Sequence, residues 1–133
     1  MNRTVGGGWG LTGWHRTVEL QAGERVLYEA CAVWNAGWLG STCGKLYATN
    51  QRLIWVRDRL MPPIPRQPIL VIAVGDILGT EMKRPPFEFR WRLLIQTRDR
   101  SYWFIFIPLS PKKEIEECRG MIEKARGQHE TRD

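Results

Sequence analysis

The stretch that most limits what this chain can become is residues 44–56, GKLYATNQRLIWV. It reads as a β-hairpin: KLYAT, a turn at Asn50-Gln51, then RLIWV. Asn tolerates the left-handed backbone that a two-residue hairpin turn demands. The register then follows by counting. Ala48 opposes Leu53 and Leu46 opposes Trp55 on one face, while Thr49/Arg52 and Lys45/Val56 flank Tyr47/Ile54 on the other. One face is apolar throughout and the other is mixed, the pattern of a sheet with one side on a core.

The rest of the chain supplies strands to that sheet. Residues 24–34 (ERVLYEACAVW), bounded by Gly23 and Gly37, form the first strand. Residues 35–42 (NAGWLGST) make a loop tipped by Trp38 and Leu39, which either fold back over the open end of the sheet or face a bilayer or partner. Residues 59–68 (RLMPPIPRQP) hold four prolines in ten and cannot feed a ladder, so they form a stiff loop. In an up-and-down sheet the loops after the first and third strands share an end. Trp38, Leu39, Met61 and Ile64 then share one rim with Arg59 and Arg66, and apolar tips beside arginine suit an anionic lipid surface.

Residues 69–74 are a fourth strand, Gly75-Asp76 a turn, and residues 77–82 a fifth strand. Residues 83–88 (KRPPFE) connect to a second hairpin, 90–97 and 101–107, around Arg98-Asp99-Arg100. A three-residue turn there pairs Trp91/Ile107, Leu93/Ile105 and Ile95/Trp103 on the core face. It leaves Leu94, Phe104 and Phe106 on the other face, to be covered by the N-terminal arm, the terminal helix or a second chain. Ser110-Pro111 reads as N-cap and first helical position. Residues 112–126 align Ile115, Cys118, Ile122 and Ala125 in one stripe, a helix suited to plug an open barrel end. Gly127 ends that helix and 127–133 form a polar tail. Residues 1–18, with GGGWG, read as a flexible arm in which Trp9 and Trp14 serve as latches.

A chain of 133 residues, 43% hydrophobic, makes one domain with a real core. Seven tryptophans need burial or a contact role. A net charge of +6 favours anionic partners: phospholipid headgroups, nucleic acid or an acidic protein surface. No apolar run reaches the roughly 18 residues of a membrane span, and the N-terminus lacks a signal-like apolar region. The expectation is a cytoplasmic protein with peripheral membrane association. Cys31, Cys43 and Cys118 lack CxxC spacing and read as buried thiols, with a Cys31–Cys43 disulfide across neighbouring strands left open. His15 and His129 fall in the tails, so no metal site is expected. No nucleophile elbow, HExxH or phosphate loop followed by Lys is present, which argues against an enzyme and against a cofactor. Asp58, Asp76 and Asp99 read as turn residues. Arg57, Arg59, Arg66, Arg90, Arg92, Arg98 and Arg100 are dispersed, so nucleic-acid binding ranks third.

Four segments carry a resemblance: LQAGERVL (20–27), GKLYATNQRLIWV (44–56), VIAVGDI (71–77) and LLIQTRDRSYWFIF (93–106). Over residues 19–126 the chain resembles the GRAM and bacterial PH-like domains, in which a G-x-L-Y-x-T-N-x-R-L hairpin precedes an I-x-x-x-D-I strand. The resemblance implies a mainly β fold, a seven-stranded antiparallel partly open barrel capped by one C-terminal helix, and a non-enzymatic binding role. TNQRLIW and the Trp-bearing N-terminal segment are also similar to the GLUE domain of the ESCRT-II sorting complex, a PH variant that binds phosphoinositides and ubiquitin. That likeness implies an adaptor with a ubiquitin-contacting surface on the terminal helix and the 83–88 connection. Partner contacts are therefore expected at Lys83, Arg84, Phe87, Met121 and Lys124, with Leu94, Phe104 and Phe106 as a further contact face. Residues 35–42 contain neither Lys nor Arg, so loose attraction to anionic phospholipid is expected rather than stereospecific recognition. The alternative is a stand-alone PH/GRAM domain that forms a homo-oligomer through the Leu94/Phe104/Phe106 face.

Overall fold

The computed structural model describes residues 4–6, 17–35, 41–58, 69–107 and 109–131. These contain β1 (Thr4–Gly6), β2 (Thr17–Glu19), β3 (Val26–Asn35), β4 (Ser41–Thr49), β5 (Arg52–Arg57), β6 (Ile69–Ala73), β7 (Ile77–Lys83), β8 (Arg92–Thr97), β9 (Ser101–Phe106) and α1 (Lys112–Thr131). Trp9, Trp14, Trp38, Leu39, Arg59, Met61, Ile64 and Arg66 lie outside the described residues. The expected lipid rim is among them.

Seven strands form one antiparallel sheet in the order β6-β5-β4-β3-β9-β8-β7. β6 and β7 are its two edges, yet only the three-residue turn Val74–Asp76 separates them in the chain. A sheet whose edges must meet at such a corner has to curl. The result is a half-open barrel, with α1 against the gap.

The β4–β5 register is the one counted from the sequence: Ala48↔Leu53, Tyr47↔Ile54, Leu46↔Trp55 and Lys45↔Val56. Gly44 has a specific task in this hairpin. A Cβ there would lie 2.3 Å from the Val56 carbonyl oxygen and 2.6 Å from the Trp55 ring. The missing side chain lets the Trp55 indole cross the strand, where its Nε1–H donates to the Ala32 carbonyl at 3.2 Å. Trp34 meets Trp55 edge-on, with ring centroids 5.3 Å apart. Around this pair lies one continuous core drawn from both halves of the sheet and from Ile115, Cys118 and Ile122 of α1.

The β8–β9 hairpin differs from the expectation by one residue. Its partners are Leu93↔Phe104, Leu94↔Trp103, Ile95↔Tyr102 and Gln96↔Ser101. The turn closes on Thr97, whose N–H donates to the Arg100 carbonyl at 3.0 Å, so only Arg98 and Asp99 are left at the tip. Because side chains alternate, a one-residue shift turns a whole strand over. Phe104 and Phe106 therefore face the core at 0% and 1% exposure, and Trp103 and Ile105 take the outer face.

Helix α1 runs to Thr131, through Gly127 rather than ending there. An interior glycine costs about 1 kcal/mol relative to alanine. Contacts on either side offset it. Arg126 donates from Nε to the Ile77 carbonyl at 3.2 Å and from Nη2 to the Leu78 carbonyl at 2.9 Å, and His129 packs over Gly75. Arg119 Nε reaches the Thr80 carbonyl at 3.2 Å, and Thr80 Oγ1 donates to Glu123 at 2.7 Å. The helix thus caps the edge of β7 with side chains where, among the described residues, no further strand pairs, which blunts an aggregation-prone edge.

Ser110 is not the helix cap. The Pro111 carbonyl accepts the first helical N–H groups, those of Glu114 and Ile115. Ser110 has φ +48 and is fully buried; its hydroxyl donates to the Trp91 carbonyl at 2.6 Å and accepts from the Phe106 N–H at 3.0 Å. It ties the start of β8 to the end of β9. In the segment read as a flexible arm, β1 pairs antiparallel with β2. Val18 and Leu20 then pack with Ile69 on Tyr47, Ile54 and Val56, burying the mixed face of the first hairpin.

Candidate docking surface

The residues that carry the family resemblance are spent on structure. Glu24 is fully buried, and its carboxylate accepts from the Gln21 amide at 2.9 Å, Thr49 Oγ1 at 2.6 Å and Arg52 Nε at 2.9 Å. Burial pushes its pKa up, but the hydrogen bonds from Arg52, Thr49 and Gln21 outweigh this and hold it below the ordinary carboxylate range. Asn50 accepts the Arg25 N–H at 2.8 Å and donates to the Gly23 carbonyl at 3.0 Å, while Gln51 Nε2 donates to the Ala22 carbonyl at 3.0 Å. Gly23 meets this clamp with a left-handed φ of +74. The T-N-Q-R turn is therefore a buckle on the A-G-E-R loop.

The exposed apolar surface gathers elsewhere. The β7–β8 connection, residues 84–91, brings Phe87 to full exposure (104%) and Phe89 to 66%. Ser110 tethers the start of the helix to Trp91, so Leu109, 59% exposed, belongs to the same end of the β8–β9 hairpin. Trp91 itself packs against the core margin. Arg84 Cζ lies 5.5 Å and Lys112 Nζ 5.3 Å from its ring centroid, while Lys83 Nζ lies 5.9 Å from that of Trp103. Glu88, between the two phenylalanines, is bound in a fork by Arg90 at 3.0 and 3.1 Å. The Arg90 hydrogen bonds draw its pKa down to about 2. Pro85 and Pro86 stiffen the turn.

Three residues expected from the sequence, Lys83, Arg84 and Phe87, are thus brought together. Met121 and Lys124 are not part of this cluster. They lie nine and twelve positions along α1 from Lys112, roughly 13 and 18 Å at 1.5 Å per residue. Leu94 is on the outer face of β8 but only 3% exposed, and Phe104 and Phe106 are in the core, so no contact face forms from those three. Reasoning from the sequence passed over Phe89, Trp91, Leu109 and Lys112. The available signal was F-E-F after a double proline, two aromatics at i and i+2 where no strand pairs them.

The far end of the β8–β9 hairpin is chemically different. Arg100 is engaged there, 4.9 Å from the Tyr102 centroid and 5.9 Å from that of Trp34. A shallow cavity nearby is lined by Val71, Ile72, Asp76, Thr97, Arg98, Asp99 and Tyr102, with charges of both signs. Among the described residues no group of three His, Cys, Asp or Glu side chains could hold a metal ion. Cys118 is buried and its pKa is pushed to about 12 by that burial; burial, helped by Asp58 and Cys31, also raises that of Cys43. Such thiols are poor nucleophiles. No helix among the described residues is long and apolar enough to cross a membrane.

No protein-family model matches the chain, and no curated protein is detectably similar to it. Solved structures are. The chain superposes on the N-terminal PH domain of Vps36 with a TM-score of 0.61 at 17% identity, covering 79% of this chain and 83% of that one. The fold is that of a pleckstrin-homology domain. A C-terminal domain of an unknown protein from Leishmania infantum matches with a TM-score of 0.59 at 16% identity, over 77% of this chain and 87% of that one. The linker-DH/PH domains of p115-RhoGEF match at 0.57 and 9% identity, over 81% of this chain and 30% of that longer one. At these identities the likeness is one of fold. The PH fold hosts many unrelated binding roles, so function has to be read from the surface.

Proposed function

We propose that this PH-fold chain is a non-enzymatic docking module that engages a macromolecular surface through the Phe87/Phe89/Leu109 patch and its flanking cations. One observation carries the reading. Two phenylalanines stand in solvent on a proline-braced turn, a costly arrangement in a chain whose other large apolar side chains, among the described residues, are mostly inside. Aromatic side chains on a stiff support lose little entropy on contact. Lys83, Arg84 and Lys112 offer a cationic rim that an anionic partner surface complements. The resemblance to GLUE domains brings ubiquitin as a protein partner and anionic phospholipid as a second ligand, both at an adaptor's station on the cytoplasmic side of a membrane.

The test is a titration of the chain with ubiquitin and, separately, with anionic vesicles, read by tryptophan emission, since Trp91 lies within the patch. The expected result is a saturable response to at least one ligand that the Phe87→Ser/Phe89→Ser chain lacks. A response that survives this double substitution moves docking to another surface and overturns the reading.

A further inference from the structure

We infer that the occupant of the patch is the interfacial layer of an anionic bilayer, entered by Phe87 and Phe89 as a wedge, with no stereospecific headgroup pocket; this rests on the docking reading above. Shape is the first reason. Phe87 is exposed on every side and Phe89 largely so, which makes the turn a convex tip that inserts into its partner. The shallow cavities lined by Gln21, Asn50, Gln51, Gln128 and His129, and by Val71, Asp76, Thr97 and Tyr102, lie away from this tip.

Layering is the second reason. Apolar groups form the tip, and the cations sit behind them: Arg84 and Lys112 rest over the Trp91 indole and Lys83 over that of Trp103. An interfacial contact needs this order, with phenyl rings reaching the acyl boundary, indoles at the carbonyl level and cations among phosphates. Charge is the third. Residues 81–91 and 109–116 hold five cations (Lys83, Arg84, Arg90, Lys112, Lys113) against four carboxylates (Glu81, Glu88, Glu114, Glu116), a net of +1, with Lys83 3.5 Å from Glu81 and Lys112 3.8 Å from Glu116. Glu88, the one acid between the phenylalanines, is neutralised by its two-bond fork to Arg90. At the other end of the hairpin Arg98 shares its cavity with Asp76 and Asp99, which leaves no such excess.

The experiment is cosedimentation of the full chain with phosphatidylcholine vesicles containing or lacking phosphatidylserine. Binding is expected only with the anionic lipid, falling roughly tenfold when ionic strength rises from low to molar salt. Phe87→Ser/Phe89→Ser is expected to lower partitioning roughly tenfold or more. Both side chains are exposed, so the fold survives, which an unchanged melting temperature confirms. A Phe87→Trp chain read against acyl-brominated lipid gives depth: its added fluorescence is expected to be quenched, whereas that of Arg98→Trp is not. No binding to any vesicle, with ubiquitin still perturbing the patch, removes the bilayer and leaves the docking reading standing. Vesicle binding that ignores the Phe87/Phe89 substitutions and needs Arg98 and Arg100 removes both.

Discussion

A methyl group at Gly44 would meet the Val56 carbonyl at 2.3 Å and the Trp55 ring at 2.6 Å. Neither neighbour can retreat, because Val56 is paired within the sheet and Trp55 is fully buried at the centre of the core. Gly44→Ala is therefore expected to destabilise by about 3 kcal/mol, the upper part of the range for overpacking, read as a shift in urea midpoint with unchanged slope. Glu24 contributes to the response to acid. Its folded pKa lies below the ordinary value of 4.5, so its contribution is present in full above that value and is lost as pH falls through the lowered folded one. Glu24→Gln removes the charge partner of Arg52 and is expected to cost about 2 kcal/mol at neutral pH. The gap between the two chains should shrink as pH falls below 4.5 and through the lowered folded value, where the native side chain becomes protonated as well; a gap independent of pH would show that the carboxylate charge is irrelevant.

At the scale of elements, legibility followed how strongly each turn declared itself. Asn50-Gln51 sits between strands of clear alternation, and its register was countable. Arg98-Asp99-Arg100 could close in two ways, and apolar residues on both faces of 101–107 gave alternation nothing to choose between. What decided it was the Thr97–Arg100 pair, reinforced by Thr97 Oγ1 donating to the Arg100 carbonyl at 2.8 Å, a local bond with no signature in the sequence. Gly127 misled for a related reason. A glycine normally ends a helix when nothing around it holds the chain, and here Arg126 before it and His129 after it do so through tertiary contacts. The helix also protects an edge. Arg119→Ala with Arg126→Ala strips the cap from the Ile77, Leu78 and Thr80 carbonyls and is expected to cost about 2 kcal/mol. Hydrogen exchange should quicken along α1 with β3–β5 unchanged; uniform quickening would mean the cap is part of the global fold rather than a local device.

For the molecule as a whole, the fold was readable because its determinants are local: alternating strands, turn residues and one amphipathic helix. The contact surface was only half readable. Lys83, Arg84 and Phe87 came from the resemblance, whereas Leu109 and Lys112 join them only through the Ser110 tie, which spans nineteen residues. The turn at 49–52, which carries the resemblance, has its side chains engaged by Glu24 and the A-G-E-R loop. A barrel packed from both sheet halves keeps its chemistry on the outside, and the two ends of its β8–β9 hairpin, about 20 Å apart, differ in charge balance and apolar exposure. Amide shift mapping of the labelled chain with anionic bicelles and with ubiquitin tests this most directly. The account expects the largest changes at residues 84–91 and 109–113 for whichever ligand binds; changes centred on 97–100, or spread evenly over the sheet, would contradict it.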